Sequence, residues 1–296
     1  MNEDDFSATS PWGVRRPGGW GGFWLGAARS LPGGWPWSRF ALIARRLARL
    51  GLAGPVDTRL WGHRLRLFPD RSVSEARILF LPRSWDRPER QLLRQWMAPG
   101  FTFVDVGANA GAYSFWILSL AGGSSRVVAV EPDPALARQL RYNVRINGAA
   151  ERMRVVEAAV AAAPGEGTLV LAAGNSGQNR LDGGRGTAGA TDGAATVPVR
   201  VVTLAAVVAG AGLDRIDCLK VDVEGREADV IRPYLSVAPR SRWPLRMIVE
   251  LAHGRGGEGS GPSELESWIV ARGYRLVRRT KLNGVFTLGR SRVSGM

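Results

Sequence analysis

The segment at residues 101–114, FTFVDVGANAGAYS, constrains the fold more than any other part of the chain. Its first half is a short apolar run that ends in small residues, which is typical of a buried parallel strand. Residues 107–111 then turn the chain between two glycines, and the strongly apolar stretch Tyr113–Leu120 predicts a helix. A strand, a glycine loop and a helix in this order form the first unit of a nucleotide-binding α/β fold.

The spacing of the glycine loop favours one class of cofactor. Dinucleotide-binding loops read G-x-G-x-x-G, whereas the spaced residues here are Asp105, Gly107, Asn109 and Gly111. A carboxylate at Asp105 would repel a pyrophosphate but suits a cation, and S-adenosylmethionine carries a sulfonium and an ammonium without a phosphate. We therefore predict an S-adenosylmethionine pocket, in which both glycines let the backbone approach the ligand. An ordinary tight turn between strand and helix is the alternative.

A second acidic residue follows at the end of the next predicted strand, RVVAVE at residues 126–131. Glu131 lies twenty residues after Gly111, and an acid at this place can accept hydrogen bonds from both hydroxyls of a ribose. Nicotinamide enzymes use the same device, so Glu131 indicates a nucleoside without choosing between the two cofactors. Asp133 and Pro134 then predict the start of a helix, whose apolar line is Leu136, Leu140 and Val144.

Three motifs in this order resemble those of the FkbM-type methyltransferases: VDVGANAGAYS, then EPDP, then LKVDVEGREADVI at Leu219–Ile231. The resemblance covers about residues 101–274 and implies a Rossmann-like class I methyltransferase fold. This is an α/β fold with a mostly parallel sheet that ends in an antiparallel hairpin, here Arg275–Arg279 with Gly284–Leu288. It also implies O-methylation of a hydroxyl on a sugar, glycan or secondary metabolite. The family usually has an acid after Thr-Leu before the third motif, where this chain has Ala205.

Candidate catalytic residues follow two later strands of the predicted sheet. Asp222 and Glu224 come at the end of Ile216–Val223, and His253 follows Leu245–Leu251, which contains Glu250. An alcohol acceptor benefits from a general base, and we predict His253 for that role because its ordinary pKa is closest to neutrality. We assign the cofactor's ammonium to Asp222, and Glu224 either serves the reaction or caps the following helix. Two carboxylates are a weak signal for a metal, so no metal site is predicted.

Residues 1–56 are predicted to be an N-terminal extension of the methyltransferase domain at residues 57–296. Its early part is rich in glycine, proline and tryptophan and is expected to be poorly ordered and dispensable for folding. Arg39–Leu50 predicts a basic amphipathic helix, with an apolar face of Phe40, Ile43, Ala44, Leu47 and Leu50. This face either lies on an anionic membrane or packs on the protein's own core or a second subunit; we favour packing.

The remaining segments give further structural expectations. Thr58–Trp61 and Arg64–Phe68 predict a hairpin with His63 exposed at its turn, and Ile78–Leu81 predicts another strand. A helix is expected over Arg87–Met97, and the helix that starts at Arg226 is expected to end before Pro233. The glycine-rich residues 173–196 are assigned to the acceptor side, with Asn175 as a possible contact.

Composition excludes several classes of site. With one cysteine, Cys218, and two histidines, His63 and His253, cysteine-based and histidine-rich metal sites are excluded. The formal charge of +14 can attract nucleic acid, anionic lipid or acidic polysaccharide, or simply be a solvated surface. Nucleic acid is not the expected partner, because no RNA-binding motif is present. No secretory signal or membrane span is evident, so a cytoplasmic protein is expected. A nicotinamide-dependent oxidoreductase and a non-catalytic basic binding module stay open as alternatives.

Overall fold

A computed structural model describes residues 10–31, 37–52, 54–120, 122–172, 179–182, 195–251 and 262–289. The helices in these ranges are α1 Gly19–Ser30, α2 Trp37–Arg49, α3 Val73–Phe80, α4 Arg87–Trp96, α5 Ala112–Leu120, α6 Pro134–Ile146, α7 Leu204–Gly210, α8 Glu227–Val237 and α9 Glu264–Ala271. The strands are β1 Val56–Leu60, β2 His63–Leu67, β3 Thr102–Val106, β4 Arg126–Glu131, β5 Met153–Glu157, β6 Ala159–Val160, β7 Gly165–Val170, β8 Arg180–Leu181, β9 Thr196–Val202, β10 Cys218–Val221, β11 Arg246–Glu250, β12 Tyr274–Arg279 and β13 Asn283–Leu288.

Within the described residues, a large sheet has the strand order β12-β13-β11-β10-β3-β4-β5. The strands β11, β10, β3, β4 and β5 run parallel, and β13 pairs antiparallel with both β11 and β12. Parallel strands are buried on both faces, and β3 is apolar on both: Phe103 packs in one core cluster, and Val104 and Val106 pack in the other. The predicted fold class and terminal hairpin are confirmed.

A smaller sheet, with the order β6-β9-β7-β8, forms apart from the large one. Its central pair is β7 and β9, which run antiparallel from Gly165↔Val201 to Val170↔Thr196. The small core of this sheet contains Ala159, Leu169, Val199 and Val201. This sheet brings β8 to the rim of the cleft described below.

Helix starts follow the side-chain chemistry of the sequence. The Asp133 carboxylate accepts a hydrogen bond from the backbone N–H of Ala135 at 2.8 Å, and Pro134 occupies the first helical turn, as predicted. The apolar line Leu136, Leu140 and Val144 is buried. Ser263 caps α9 in the same way, because its hydroxyl accepts from the N–H of Glu266 at 3.2 Å.

Three local predictions are wrong. Ile78–Leu81 is not a strand: Ser72 caps the backbone N–H of Glu75 and starts α3, which runs through Phe80. The helix after Arg226 does not end before Pro233, because α8 continues to Val237 with the residues beyond the proline, Tyr234 and Leu235, buried. His63 is not an exposed turn residue; it is the first residue of β2, and its half-buried ring lies 5.5 Å from the ring of Phe115.

The N-terminal region is ordered from residue 10 to residue 31, against the expectation for its early part. Helix α1 contributes Leu25 and Ala28 to the main core, and α2 contributes Ala44 and Ala48. Among the α2 side chains that the structure describes, the buried ones are these two alanines. The large side chains of the predicted apolar face, Phe40, Ile43 and Leu50, are exposed instead.

A buried ion pair ties this region to the β1–β2 hairpin. The guanidinium of Arg66 contacts the carboxylate of Asp57 at 2.7 Å, and both side chains are 0 % exposed. Arg66 also donates to the carbonyl oxygens of Ser10 and Pro11 at 3.2 and 3.1 Å, and Asp57 accepts from the N–H of Gly13 at 2.7 Å. These contacts argue against a dispensable extension.

Two further findings concern the interior and the helix lengths. Cys218 begins β10 and is fully buried, and burial raises the pKa of its thiol. A buried thiol with a raised pKa is unreactive. None of the helices that the structure describes has both the length and the apolar character needed to cross a membrane.

Candidate cofactor and catalytic site

A cleft opens at the carboxyl ends of β3, β4, β10 and β11, the edge at which open α/β sheets bind ligands. The glycine loop and the third motif lie on its floor, α3 and the segment after it form one wall, and β7 and β8 form another. Of the predicted site residues in the described ranges, six line the cleft from the ends of β3, β4 and β10: Asp105, Gly107, Asn109, Glu131, Asp222 and Glu224. The predicted Gly111 does not line it.

The two glycines of the loop are required by the protein's own packing. At Gly107 the backbone has a φ of +79°, and a Cβ would lie 1.8 Å from the carbonyl oxygen of Asp222. At Gly111, with a φ of +83°, a Cβ would lie 2.5 Å from Cδ1 of Leu140. We expected glycine at both positions because the backbone would approach a ligand closely. The structure instead shows contacts within the protein at both glycines. Gly107 brings the loop into contact with the end of β10.

Glu131 links the glycine loop to the second motif. Its Oε2 accepts from the backbone N–H of Asn109 at 2.7 Å, and its Oε1 accepts from the N–H of Asp133 at 3.0 Å. Burial raises the pKa of Glu131 to about 8. Asn109 has a φ of +50°, and its side-chain oxygen accepts from the N–H of Ala110. Since each carboxylate oxygen has more than one acceptor site, Glu131 retains capacity for a ligand in the cleft.

Lys220 is a buried cation that the sequence analysis did not single out. Its Nζ lies 2.9 Å from Asp222 and 3.7 Å from Asp105, and 5.2 Å from the ring centre of Tyr113. Asp105 also accepts from the Ser114 hydroxyl at 2.7 Å. The cation that faces both acids is thus a side chain of the protein, whereas we expected the cofactor's charge there. The sequence feature that could have identified Lys220 as a site residue is its position as a lysine within the apolar strand β10.

Three carboxylates meet beside this lysine. One oxygen from each of Asp222, Glu224 and Glu250 lies within 4.8 Å of the others. Burial, with the charges of its two acidic neighbours, raises the pKa of Glu250 to about 9, and burial with Asp222 raises that of Glu224 to about 7. Like charges this close cannot all be ionised cheaply, so the cluster holds a proton at neutral pH. Such oxygens also suit hard cations, and the prediction of no metal stays a prediction.

The N-cap position of α8 is Arg226, which has no side-chain capping hydrogen bond, and an acid other than Glu224 holds the loop before the helix. Glu227 accepts from the backbone N–H groups of Val223 and Gly225 at 3.1 and 3.0 Å. The carboxylate at the start of α8 is therefore Glu227, and Glu224 faces the cleft with a φ of +54°. A non-glycine residue in this conformation is unusual and is found most often at functional sites.

The wall formed by α3 and the segment after it adds polar groups that sequence reasoning missed. Asp86 accepts from the hydroxyl of Tyr113 at 2.9 Å and lies 3.6 Å from Arg77, and burial raises its pKa. Glu75 is buried, accepts from the N–H of Phe68 at 2.8 Å, and has its pKa raised to about 7 by burial. His253 and Asn175 lie outside the described residues.

Comparison with known proteins identifies the family. Residues 105–276, more than half of the chain, match the family described as "Methyltransferase FkbM domain". The chain belongs to this methyltransferase family. The matched range contains the second and third motifs and all of the first except Val104, so the resemblance read from the sequence is confirmed.

Individual relatives of this FkbM-family methyltransferase are distant. Methyltransferase sdnD of Sordaria araneosa is 29% identical over 152 residues, which cover 44% of this chain and 58% of that protein. The chain thus spans less than two thirds of that relative. A crystal structure of a methyltransferase FkbM from Methylobacillus flagellatus KT has 14% identity and a TM-score of 0.42, covering 72% of this chain and 52% of that one. TrmK of M. capricolum, solved with S-adenosyl-homocysteine, has 9% identity and a TM-score of 0.39, covering 67% and 66%.

The family match divides the cleft into two parts. The floor, from Asp105 to Glu250, lies inside the matched residues 105–276. The wall that contains Glu75, Arg77 and Asp86 lies outside them, as do Leu282 and Asn283.

Proposed function

We propose that this protein transfers a methyl group from S-adenosylmethionine to a hydroxyl of a sugar, glycan or secondary metabolite. The observation that carries the proposal is the junction of two elements in one cleft: a glycine loop with Glu131, and a carboxylate cluster at the end of β10. The contact between Gly107 and the Asp222 carbonyl makes these elements neighbours. The glycine loop with Glu131 can hold a nucleoside, and the carboxylate cluster can receive a proton.

The charge of the cleft supports this cofactor. Its described lining has seven carboxylates (Glu75, Asp86, Asp105, Glu131, Asp222, Glu224 and Glu250) and three cationic side chains (Arg77, Lys220 and Arg226). The whole chain has a formal charge of +14, so acids are concentrated here. With pKa values of about 8 and 9, Glu131 and Glu250 keep a proton at neutral pH, and values of about 7 leave Glu75 and Glu224 partly ionised. A bound sulfonium and ammonium would favour the ionised carboxylates, whereas a pyrophosphate would be repelled by them. Glu131 would take the ribose hydroxyls through its remaining acceptor sites.

The carboxylate cluster supplies the general base in this proposal. When bound, S-adenosylmethionine supplies an electrophilic methyl group whose sulfur leaves as a neutral thioether. Glu224 takes the proton of the acceptor hydroxyl, since its pKa of about 7 leaves it partly ionised at neutral pH. Glu250, with a pKa of about 9, keeps its proton, and Lys220 neutralises Asp222 at 2.9 Å. His253 remains the competing candidate three residues after β11.

A calorimetric titration tests the cofactor. We expect S-adenosylmethionine to bind and a nicotinamide dinucleotide not to bind. Glu131→Gln should weaken binding by about 1–3 kcal/mol, because an amide group that donates replaces one of the two accepting oxygens. The matched control is Glu157→Gln, because Glu157 pairs with Glu131 in the register of β4 and β5 but carries an exposed ion pair. Dinucleotide binding without S-adenosylmethionine binding would overturn the proposal in favour of an oxidoreductase.

A pair of variants tests the base, once a screen of hydroxylated sugars and glycans has given an acceptor. We expect Glu224→Gln to lower kcat by about 10²–10⁴-fold with cofactor affinity nearly unchanged. Glu166→Gln is the control, since Glu166 is exposed on β7 away from the cleft lining. The same loss in His253→Ala, beside normal turnover in Glu224→Gln, would assign the base to His253.

A further inference from the structure

Large apolar side chains are exposed on the two N-terminal helices. Trp20 and Phe23 of α1 are 56% and 67% exposed, Ile43 of α2 is 53% exposed, and Leu50 just after α2 is 79% exposed. Together with Phe40, also 53% exposed, these residues are called the hairpin patch. Single exposed apolar residues are ordinary, but a group of this kind marks an interaction surface.

Contacts between the two helices place the α1 part of the hairpin patch beside α2. The indole N–H of Trp20 donates to the carbonyl oxygen of Leu47 at 3.0 Å, which places Trp20 beside α2. The ring of Trp24 joins the other aromatic residues, with its centre 5.6 Å from Trp20 and 5.3 Å from Phe23. The backbones also approach closely, since a Cβ on Gly21 would lie 2.7 Å from the carbonyl oxygen of Gly51.

The charged side chains of α1 and α2 all have one sign. Arg39 and Arg46 of α2 are exposed, and so is Arg49 at its end. The sequence from residue 6 to residue 56 contains seven arginines and no aspartate or glutamate. An exposed acid, Asp70, accepts from the N–H of Gly54 at 3.0 Å, near the end of α2 that is followed by Leu50. An exposed apolar surface on two helices with arginines and no acids complements a surface that is apolar inside and anionic outside.

The patch does not serve the packing of the helices on the protein. Helix α2 reaches the core through Ala44 and Ala48, and α1 through Leu25 and Ala28. A second copy docked symmetrically would bring the same patch, with the same arginines, against itself. Nucleic acid would pair with the arginines but has no apolar region in which Ile43 and Leu50 would be buried.

We propose that the hairpin patch binds the surface of an anionic lipid bilayer. Trp20, Phe23, Ile43 and Leu50 enter the boundary between headgroups and acyl chains, and the flanking arginines contact lipid phosphates. Helices in this position lie in the plane of the interface, which agrees with the lengths of α1 and α2, 12 and 13 residues. The cleft wall is nearby, because Arg29 of α1 donates to the Leu79 carbonyl of α3 at 2.6 Å.

Cosedimentation of the full chain with vesicles tests the proposal. We expect binding to vesicles of phosphatidylglycerol and phosphatidylcholine, weaker binding at high salt, and little binding to phosphatidylcholine alone. Phe23→Ser with Ile43→Ser should lower the partition coefficient by about tenfold or more, because two large apolar side chains no longer enter the lipid. Arg39→Gln with Arg46→Gln should also lower it by about tenfold or more on anionic vesicles.

Two double variants are matched controls for these changes. Val237→Ser with Val270→Ser removes exposed apolar side chains on α8 and α9, and Arg275→Gln with Arg278→Gln removes two exposed arginines from β12. Both should bind vesicles as the parent does, and all variants should keep its melting temperature. Equal losses in patch and control variants would overturn the proposal. So would light scattering that shows a dimer abolished by Phe23→Ser with Ile43→Ser, because a second copy would then cover the patch.

Discussion

Two regions of this protein are held together in different ways. From β3 to α6, residues 102–146, successive elements pack on each other, and the sheet hydrogen bonds join β3 directly to β4. From residue 10 to residue 67, polar side chains join segments that are far apart in the chain. Arg66 reaches Ser10 across 56 positions, and Asp57 reaches Gly13 across 44.

The difference shows where each region is vulnerable. The first region depends on buried apolar side chains and on a few backbone conformations, so its weak points are single glycines. The second depends on a buried ion pair. Removing either partner leaves the other charge buried and unpaired, which costs stability. The first two predictions below test this contrast and the third tests the carboxylate cluster, beginning with the largest effect.

Arg66→Met should destabilise the protein by about 3–5 kcal/mol, because the Asp57 carboxylate would stay buried without its cation. Arg141→Gln is the control, since Arg141 and Glu157 form an ion pair in which both side chains are more than a third exposed. The control should cost no more than about 1 kcal/mol. Urea unfolding measures both free energies. Equal, small losses would show that the N-terminal region adds little to the stability of the domain.

Gly107→Ala should cost more than Gly148→Ala, although both glycines have positive φ values, +79° and +59°. The backbone conformation alone costs an alanine about 1–2 kcal/mol. At Gly148 the described structure has no atom within 4 Å of a Cβ, whereas at Gly107 the Asp222 oxygen lies 1.8 Å away. Overpacking adds about 1–3 kcal/mol.

Unfolding free energies of the two glycine variants give the difference, and titration with S-adenosylmethionine shows whether the loop still binds. Equal costs at both positions would mean that the loop can move away from β10. The contact between the first and third motifs would then be a weak one.

Glu250→Gln should change the pH dependence of stability. The folded protein keeps the Glu250 proton up to a pKa of about 9, while the unfolded chain loses it near 4.5. Between these values the folded state binds more protons, so the parent protein loses stability as pH rises. Glutamine resembles the protonated acid. The variant should match the parent near pH 5 and exceed it at pH 8 by about 1 kcal/mol or more.

Thermal or urea unfolding across this pH range measures the effect. Glu264→Gln is the control, because the Glu264 side chain is 87% exposed. Parallel stability curves for Glu250→Gln and the parent would contradict the raised pKa. They would also remove the argument that the cluster holds a proton at neutral pH.

Local chemistry explains which predictions from the sequence succeeded. The strand β4 was predicted with its observed bounds, Arg126–Glu131, and Asp133 and Pro134 marked the start of α6 correctly. These features depend on residues that are close in the chain. The start of α3 was equally local, since Ser72 and Glu75 have the spacing of a capping box, but the apolar residues around Ile78 favoured a strand.

Predictions failed where long-range contacts decide the outcome. Nothing near Gly107 in the sequence shows that its neighbour is the Asp222 carbonyl. Lys220 looks like a single polar residue in an apolar strand until the fold places Asp105 beside it. The periodicity of α2 was correct, but it could not show that the core would take Ala44 and Ala48 and leave Ile43 exposed.

The buried position of Cys218 has a practical consequence for studying the chain. It is the single cysteine in the sequence, it is fully buried, and burial raises the pKa of its thiol. Thiol reagents attack thiolates that solvent can reach, so the native protein should resist maleimide dyes. A cysteine introduced at an exposed position such as Ile43 or Val237 would then be labelled alone. One fluorophore or spin label could report on a chosen surface without any prior removal of the native cysteine.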